Sequence, residues 1–226
     1  MEIRLTQIVY FWSKKPQNRR VLTAPESGTL PNSRQHPYEA QLDALEGLMC
    51  ADLMATVLGT ATLSSTTDLS VLLEQYRTTI LEPIEMPVIA QAHRLASRGR
   101  TNELIALDQE FLGNHPEWLQ LSPTSKRFGL DFLSRLHPLQ DERVVQRMLK
   151  AAQNGKIPGH HLIVFGLTMA VFSIAPRQGL ADYAQSALNA LITTKAGKLK
   201  LTRDDRNALF ARSQSRLPEA IDRMVA

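Results

Sequence analysis

Asp68-Leu69-Ser70-Val71-Leu72-Leu73-Glu74-Gln75-Tyr76-Arg77-Thr78-Thr79-Ile80 is the stretch that decides the fold. Leu69, Leu72, Leu73, Tyr76 and Ile80 fall at i, i+3, i+4, i+7 and i+11, a spacing that lines one face of an α-helix. Asp68 is its expected N-cap. Pro83 and Pro87 punctuate the chain beyond Ile80. Pro87 suits the first turn of a second helix, where a missing N–H costs nothing. That helix carries Val88, Ile89, Ala92 and Leu95, and Gly99 is its natural stop.

The same period continues along the chain. Leu104, Leu107 and Phe111 form a stripe closed by Gly113, and residues 114–124, with His115-Pro116 and Ser122-Pro123, read as a loop or a broken first turn. Phe128, Phe132 and Leu136 space the next helix. Val144, Val145, Met148, Leu149 and Ala152 space another, which Gly155 stops. Leu180, Tyr183, Ala187, Leu188 and Leu191 follow the apolar run Leu162–Ile174. A basic loop, Lys195 to Arg203, leads to a helix with Leu209 and Phe210, and Pro218 opens a last short one. One strand-like alternation, Ile3, Leu5, Val9 and Phe11, reads equally well as helix. Lys14 to Pro37 is polar and rich in Pro, Ser, Asn and Arg, which predicts a mobile basic loop. The expected architecture is therefore all-α: a single-domain bundle of roughly eight to ten helices over residues 38–226, behind an N-terminal segment, 1–37.

Composition excludes several classes. The chain has 226 residues, 43% of them hydrophobic and 21% charged, as a globular protein does and a disordered chain does not. Cys50 is the single cysteine, so neither an internal disulfide nor a Cys-based zinc cluster can form. Within Leu48-Met49-Cys50-Ala51 it reads as a small buried apolar group, with redox or nickel handling as the sharper alternative. Arg4 interrupts the first apolar stretch and Lys14-Lys15 end it without a small-residue cleavage site, and a membrane span needs about 20 apolar residues. Leu162–Ile174 is only thirteen residues long, Thr168 and Ser173 among them. A buried helix, no membrane and a cytoplasmic location are expected.

The net charge of +4 hides an acidic middle. Residues 1–34 carry net +4, residues 35–194 net −4 and residues 195–226 net +4. Lys195, Lys198, Lys200 and Arg203 could meet phosphates, but no aromatic side chain interleaves them to stack bases. A helical regulatory or nucleic-acid-binding module using the basic ends is thus the alternative, and nucleic acid the less expected partner.

Motifs for catalysis are missing. There is no P-loop, no G-x-G-x-x-G and no G-x-S-x-G, and no cofactor is implied. The histidines nowhere pair at i, i+4. His160-His161 are adjacent, about 100° apart on a helix, which favours capping or an interface over a shared metal. Asp141-Glu142 and Asp204-Asp205 suit helix starts.

Three stretches together resemble the urease accessory protein UreF family. Thr67 to Glu74, running on through Glu85 to His93, with Leu104 to Asp108 after them, is similar to its paired helices. Ser125-Lys126-Arg127-Phe128-Gly129-Leu130-Asp131-Phe132-Leu133 resembles its S-x-x-x-G-x-x-L-L helix. His160-His161-Leu162-Ile163-Val164-Phe165-Gly166 resembles H-x-P-V-x-F-G, and Tyr183, Ser186, Leu188 and Leu191 then fall where the family has Y, S, L and L. The family's glycine-rich N-terminal motif is reduced to Leu30-Pro31, Tyr38 and Leu42-Asp43, the mark of a divergent member.

The resemblance implies a non-enzymatic, all-helical chaperone that tends to form a homodimer. Such a protein binds a UreD-type (also called UreH-type) accessory protein and recruits the UreG-type GTPase. Together they deliver nickel to apo-urease. It also points to particular residues. His160 would orient the apolar helix through a cap-like hydrogen bond, and Phe165, Gly166 and Gly129 would set helix packing. Ser125 belongs to the same motif. Tyr183, Ser186, Lys126 and Arg127 would be surface contacts.

Overall fold

The computed structural model describes residues 36–60 and 62–225. Its helices are α1 (Pro37–Leu48), α2 (Ala51–Val57), α3 (Thr66–Tyr76), α4 (Met86–Ser97), α5 (Thr101–Asn114), α6 (Ser122–Arg135), α7 (Arg143–Gln153), α8 (His161–Val171), α9 (Pro176–Ala196), α10 (Arg203–Gln214) and α11 (Leu217–Val225). A π-helical stretch, Arg77–Glu85, joins α3 to α4, so these helices make ten separate rods. Among the described residues there is no strand, and the all-α expectation holds. All these helices belong to the unit Gln35–Ala226. The alternation at Ile3–Phe11 and nearly all of the basic segment lie outside the described residues; Pro37, the end of that segment, is the first residue of α1.

The rod from α3 to α4 differs from its sequence reading in two ways. Its N-cap is Ser65, and Asp68 sits three residues in, where its carboxylate accepts from the Ser65 amide while Ser65 Oγ accepts from the Asp68 amide. The pair is a capping box, with both residues satisfying helix-end donors. Pro83, in turn, does not end the rod. Proline lacks an N–H and clashes with the carbonyl four residues back in an α-helix, whereas the wider i→i+5 turns carry the chain past it. Nine residues at 100° each put Tyr76 and Glu85 on opposite faces of an α-helix. In the wider spiral they meet, and Tyr76 Oη donates to Glu85 Oε2 at 2.5 Å. Arg77, almost wholly buried, likewise reaches Glu82 five residues on, as well as Glu74.

The core is built around α8, whose residues from His161 to Met169 are all buried. It crosses α4 so closely at Gly166 that an added Cβ would come within 2.6 Å of the Ile89 carbonyl oxygen and 2.7 Å of the Ala92 Cβ. α9 packs along α1, α10, α11 and α4. α1 is seated by two polar contacts: Tyr38 Oη donates to Asp182 at 2.8 Å, and Gln41 donates to Thr168 Oγ1 at 2.7 Å. No helix among the described residues is long and apolar enough to cross a membrane.

Two further expectations need correction. Cys50 is exposed, because it occupies the N-cap of α2 while Leu48, Met49 and Ala51 take the inward positions. Lys195 is not in a loop: α9 runs to Ala196, and the buried Lys195 ammonium pairs with Asp52 of α2, which also takes Lys198. Two of the four cations considered for phosphate contact are thereby committed to a carboxylate of the protein.

Candidate functional site

The motif residues converge on the N-terminal end of α8. Gly159 turns the chain there with φ +74°, a conformation that favours glycine. The amides that open the helix need acceptors, and both come from other helices. Asp108 of α5 accepts from the Gly159 amide at 2.6 Å and the His160 amide at 2.9 Å. Ser125 Oγ of α6 accepts from the His161 amide at 3.3 Å. His160 does stand at the N-cap, but its side chain makes no cap bond. The orienting role expected of it belongs to Asp108 and Ser125.

Instead, both imidazoles turn onto the same hydroxyl. Ser125 Oγ lies 3.2 Å from His160 Nδ1 and 2.8 Å from His161 Nδ1. The hydroxyl has one proton to give, so it can donate to at most one of the two rings and must accept in any other contact it makes. From His161 the network continues through Nε2, 3.0 Å from Tyr183 Oη. Tyr183 interacts in turn with the carboxyl of Glu85, to which Tyr76 donates. Phe111 and Trp118 close over the histidines, with ring centroids 4.8 Å (Phe111–His160) and 5.6 Å (Trp118–His161) apart.

Burial keeps this junction nearly uncharged. It pushes His160 down to about 4, helped by Lys126 nearby, and His161 down to about 3, helped by His160. Burial pushes Glu85 up to about 8, against the bond from Tyr76, so at neutral pH it holds a proton. Asp108 is pushed up to about 6 by burial, with its two amide bonds and Lys126 opposing. An ionised Asp108 beside Lys126 is thus the main charge at pH 7.

Backbone packing completes the site. A Cβ on Gly129 would sit 2.1 Å from the Gly159 carbonyl oxygen and 2.7 Å from the His161 amide nitrogen, so α6 rests directly on the turn that starts α8. Phe165, one turn into α8, stacks on Tyr38 at 5.4 Å and meets the Tyr183 ring at a tilt, 5.3 Å away.

Ser125, Gly129, His160, Phe165 and Tyr183 are therefore brought together, and Gly166 marks the α4 crossing. Tyr183, expected at the surface, is fully buried, because its hydroxyl is used inside the network. Lys126 is half-buried at the rim. Arg127 is exposed with its guanidinium 5.4 Å from the Phe128 ring, and Ser186 is half-buried on α9. Sequence reasoning missed Asp108, Glu85, Tyr76 and Trp118. Asp108 stood at i+4 from Leu104 and i−3 from Phe111, a carboxylate on a core stripe, and could have been found. Glu85 could not, since only the π turns rotate it inward.

Among the described residues, no three His, Cys, Asp or Glu side chains converge as a metal-ligand group. A hollow of about 740 Å³ lies between α3 and α10 against Val71, Glu74, Leu209 and Arg212; it is lined in part by the Thr67–Glu74 stretch but by none of the residues gathered at the start of α8.

A family model described as UreF matches residues 63–198, from just before α3 to just after α9, and so spans the whole junction. The urease accessory protein UreF of Sporosarcina pasteurii is 23% identical over 143 residues, covering 62% of this chain and 68% of that protein.

Proposed function

The chain belongs to the UreF family, a family of urease accessory proteins, and from that premise we propose that it is a non-catalytic chaperone of urease metallocentre assembly. In this reading it binds a UreD/UreH-type accessory protein, self-associates, recruits the UreG-type GTPase, and helps deliver nickel to apo-urease. Its part is to present a surface that favours one nucleotide state of the GTPase, a coupling between binding events.

One observation carries this reading. The residues that bear the family likeness spend their polar groups on one another and on the start of α8. Such an interior serves to hold helices in register rather than to receive a substrate. What is left for partners is the rim, where Lys126, Arg127 and Ser186 retain accessible surface.

Co-expression with UreD-type, UreG-type and urease subunits tests it. The chain should co-purify with the UreD-type protein, and retention of the GTPase should depend on the nucleotide. Lys126→Ala/Arg127→Ala should weaken retention by roughly tenfold while leaving the fold intact. Absence of co-purification with demonstrably folded partners would refute the proposal.

A further inference from the structure

The hollow between α3 and α10 is walled by two matching helical faces. α3 lines it with Thr67, Ser70, Val71 and Glu74, at i, i+3, i+4 and i+7, and α10 with Asp205, Ala208, Leu209 and Arg212 at the same spacing. Leu73 and Leu209 are buried beneath it, whereas Ala208 is exposed and Val71 is 51% exposed. α10 is lightly seated, since only Leu209 and Ser213 of its twelve residues are buried.

The charge of this groove is one-sided. Glu74 accepts from Arg77 through both carboxylate oxygens, at 2.5 and 3.2 Å, and Asp205 accepts from the Thr202 amide and hydroxyl at 2.9 and 2.7 Å. Both carboxylates of the lining are thus engaged. Arg212, and Arg216 one turn beyond it, are exposed, and among the described residues neither has an ion-pair partner. The carboxyl of Glu74 is held below its ordinary range by the Arg77 bond first and by both of these arginines as well, which sets them at the Glu74 end of the groove. Arg77, Glu74 and Glu82 together sum to one negative charge and the two arginines to two positive, so this end is net positive.

Such a lining selects its occupant. No aromatic side chain lines the groove to stack a base. Both walls are helices whose backbone groups bond within themselves, so an extended segment would find no main-chain partners, whereas a helix brings its own. The wall from Asp205 to Arg216 is about 16 Å long, or three turns. We propose that this groove receives an amphipathic helix of a partner protein, with aliphatic side chains against Val71 and Ala208 and carboxylates against Arg212 and Arg216. The proposal rests on the accessory-protein reading for the source of that helix, one of the proteins the chain assembles with, and not for its chemistry.

Two synthetic three-turn helices, locked by side-chain staples, probe the groove on the full-length chain. One carries Leu at i and i+4 and Glu at i+7 and i+11; the other carries Lys in place of Glu. By fluorescence anisotropy the Glu helix should bind at least about tenfold more tightly than the Lys helix, and more weakly as salt rises. Arg212→Glu/Arg216→Glu should reverse that preference, and Val71→Glu should weaken the Glu helix by at least about tenfold, with helical content unchanged by circular dichroism. If the paired variant folds poorly, Arg216→Glu alone, an exposed site past the end of α10, should still narrow the preference. Failure of the Glu helix to bind, or equal binding to all variants, overturns the groove. In the co-expression experiment the same variants should release one accessory protein and keep the others. Retention of every partner overturns the groove and leaves the accessory-protein reading standing. A chain that binds the Glu helix as expected but no accessory protein overturns that reading and leaves the groove.

Discussion

At the scale of single residues, Glu85 carries the most distinctive consequence. Folded, it holds its proton up to about pH 8, whereas the ordinary glutamate value is 4.5. The folded state thus binds one proton more between those values, so the stability Glu85 contributes is whole below 4.5 and lost as pH rises through 8. Asp108, raised to about 6, acts in the same sense over a lower window. His160 and His161 act oppositely. They stay neutral in the fold down to about 4 and 3, while the unfolded rings take up protons near 6.5, so their contribution is lost as pH falls. These effects offset between about 4.5 and 6.5, and above that Glu85 alone leaves a decline of about 2 kcal/mol up to pH 8. Glu85→Gln should abolish it, as read from urea midpoints at several pH values between 6 and 8. Parallel declines in the two proteins would place the proton elsewhere. None of this was legible in the sequence, where Glu85 is one carboxylate between Ile84 and Met86. Its burial comes from the rotation of the helix.

At the scale of elements, the apolar stripes identified the rods, and their buried faces are those that periodicity gave: Leu69, Leu72, Leu73, Tyr76 and Ile80 on the first, Leu180, Tyr183, Ala187, Leu188 and Leu191 on α9. What periodicity could not supply is how closely rods approach. Gly129 and Gly166 were legible only through the family likeness, and each marks a place where a helix rests on backbone rather than side chains. Backbone cannot rotate aside as a side chain can, so Gly129→Ala must push α6 off the start of α8. It should cost about 2–4 kcal/mol in chemical denaturation and loosen the Ser125 contacts to both histidines. Gly166→Ala should be comparable at the α4 crossing. Gly113 supplies the control: an added Cβ meets nothing within 4 Å, so Gly113→Ala should stabilise α5 by up to about 1 kcal/mol through helix propensity alone. Equal effects at all three positions would mean that propensity, not close approach, governs these glycines.

At the scale of the whole molecule, the division into basic ends and an acidic middle is a property of the sequence that the fold redistributes. Lys195 and Lys198 stand at the edge of the basic C-terminal stretch, yet both bond Asp52, more than 140 positions earlier. A sequence scanned locally cannot show such pairs, because the tie depends on α2 lying beside the far end of α9. The two lysines are not equivalent. The Lys195 side chain is 6% exposed and that of Lys198 is 70%, so only the first suffers when the carboxylate goes. Asp52→Ala strands a buried ammonium and should cost about 2–3 kcal/mol, while Lys198→Ala, at an exposed and solvent-screened site, should leave the urea midpoint nearly unmoved. Adding Lys195→Met to Asp52→Ala should recover most of the loss, since an apolar side chain of similar length needs no partner in that position. Urea denaturation of the three variants decides the matter. If Asp52→Ala is as mild as Lys198→Ala, the Lys195 ammonium finds water without Asp52, and the far end of α9 is held by its apolar contacts alone.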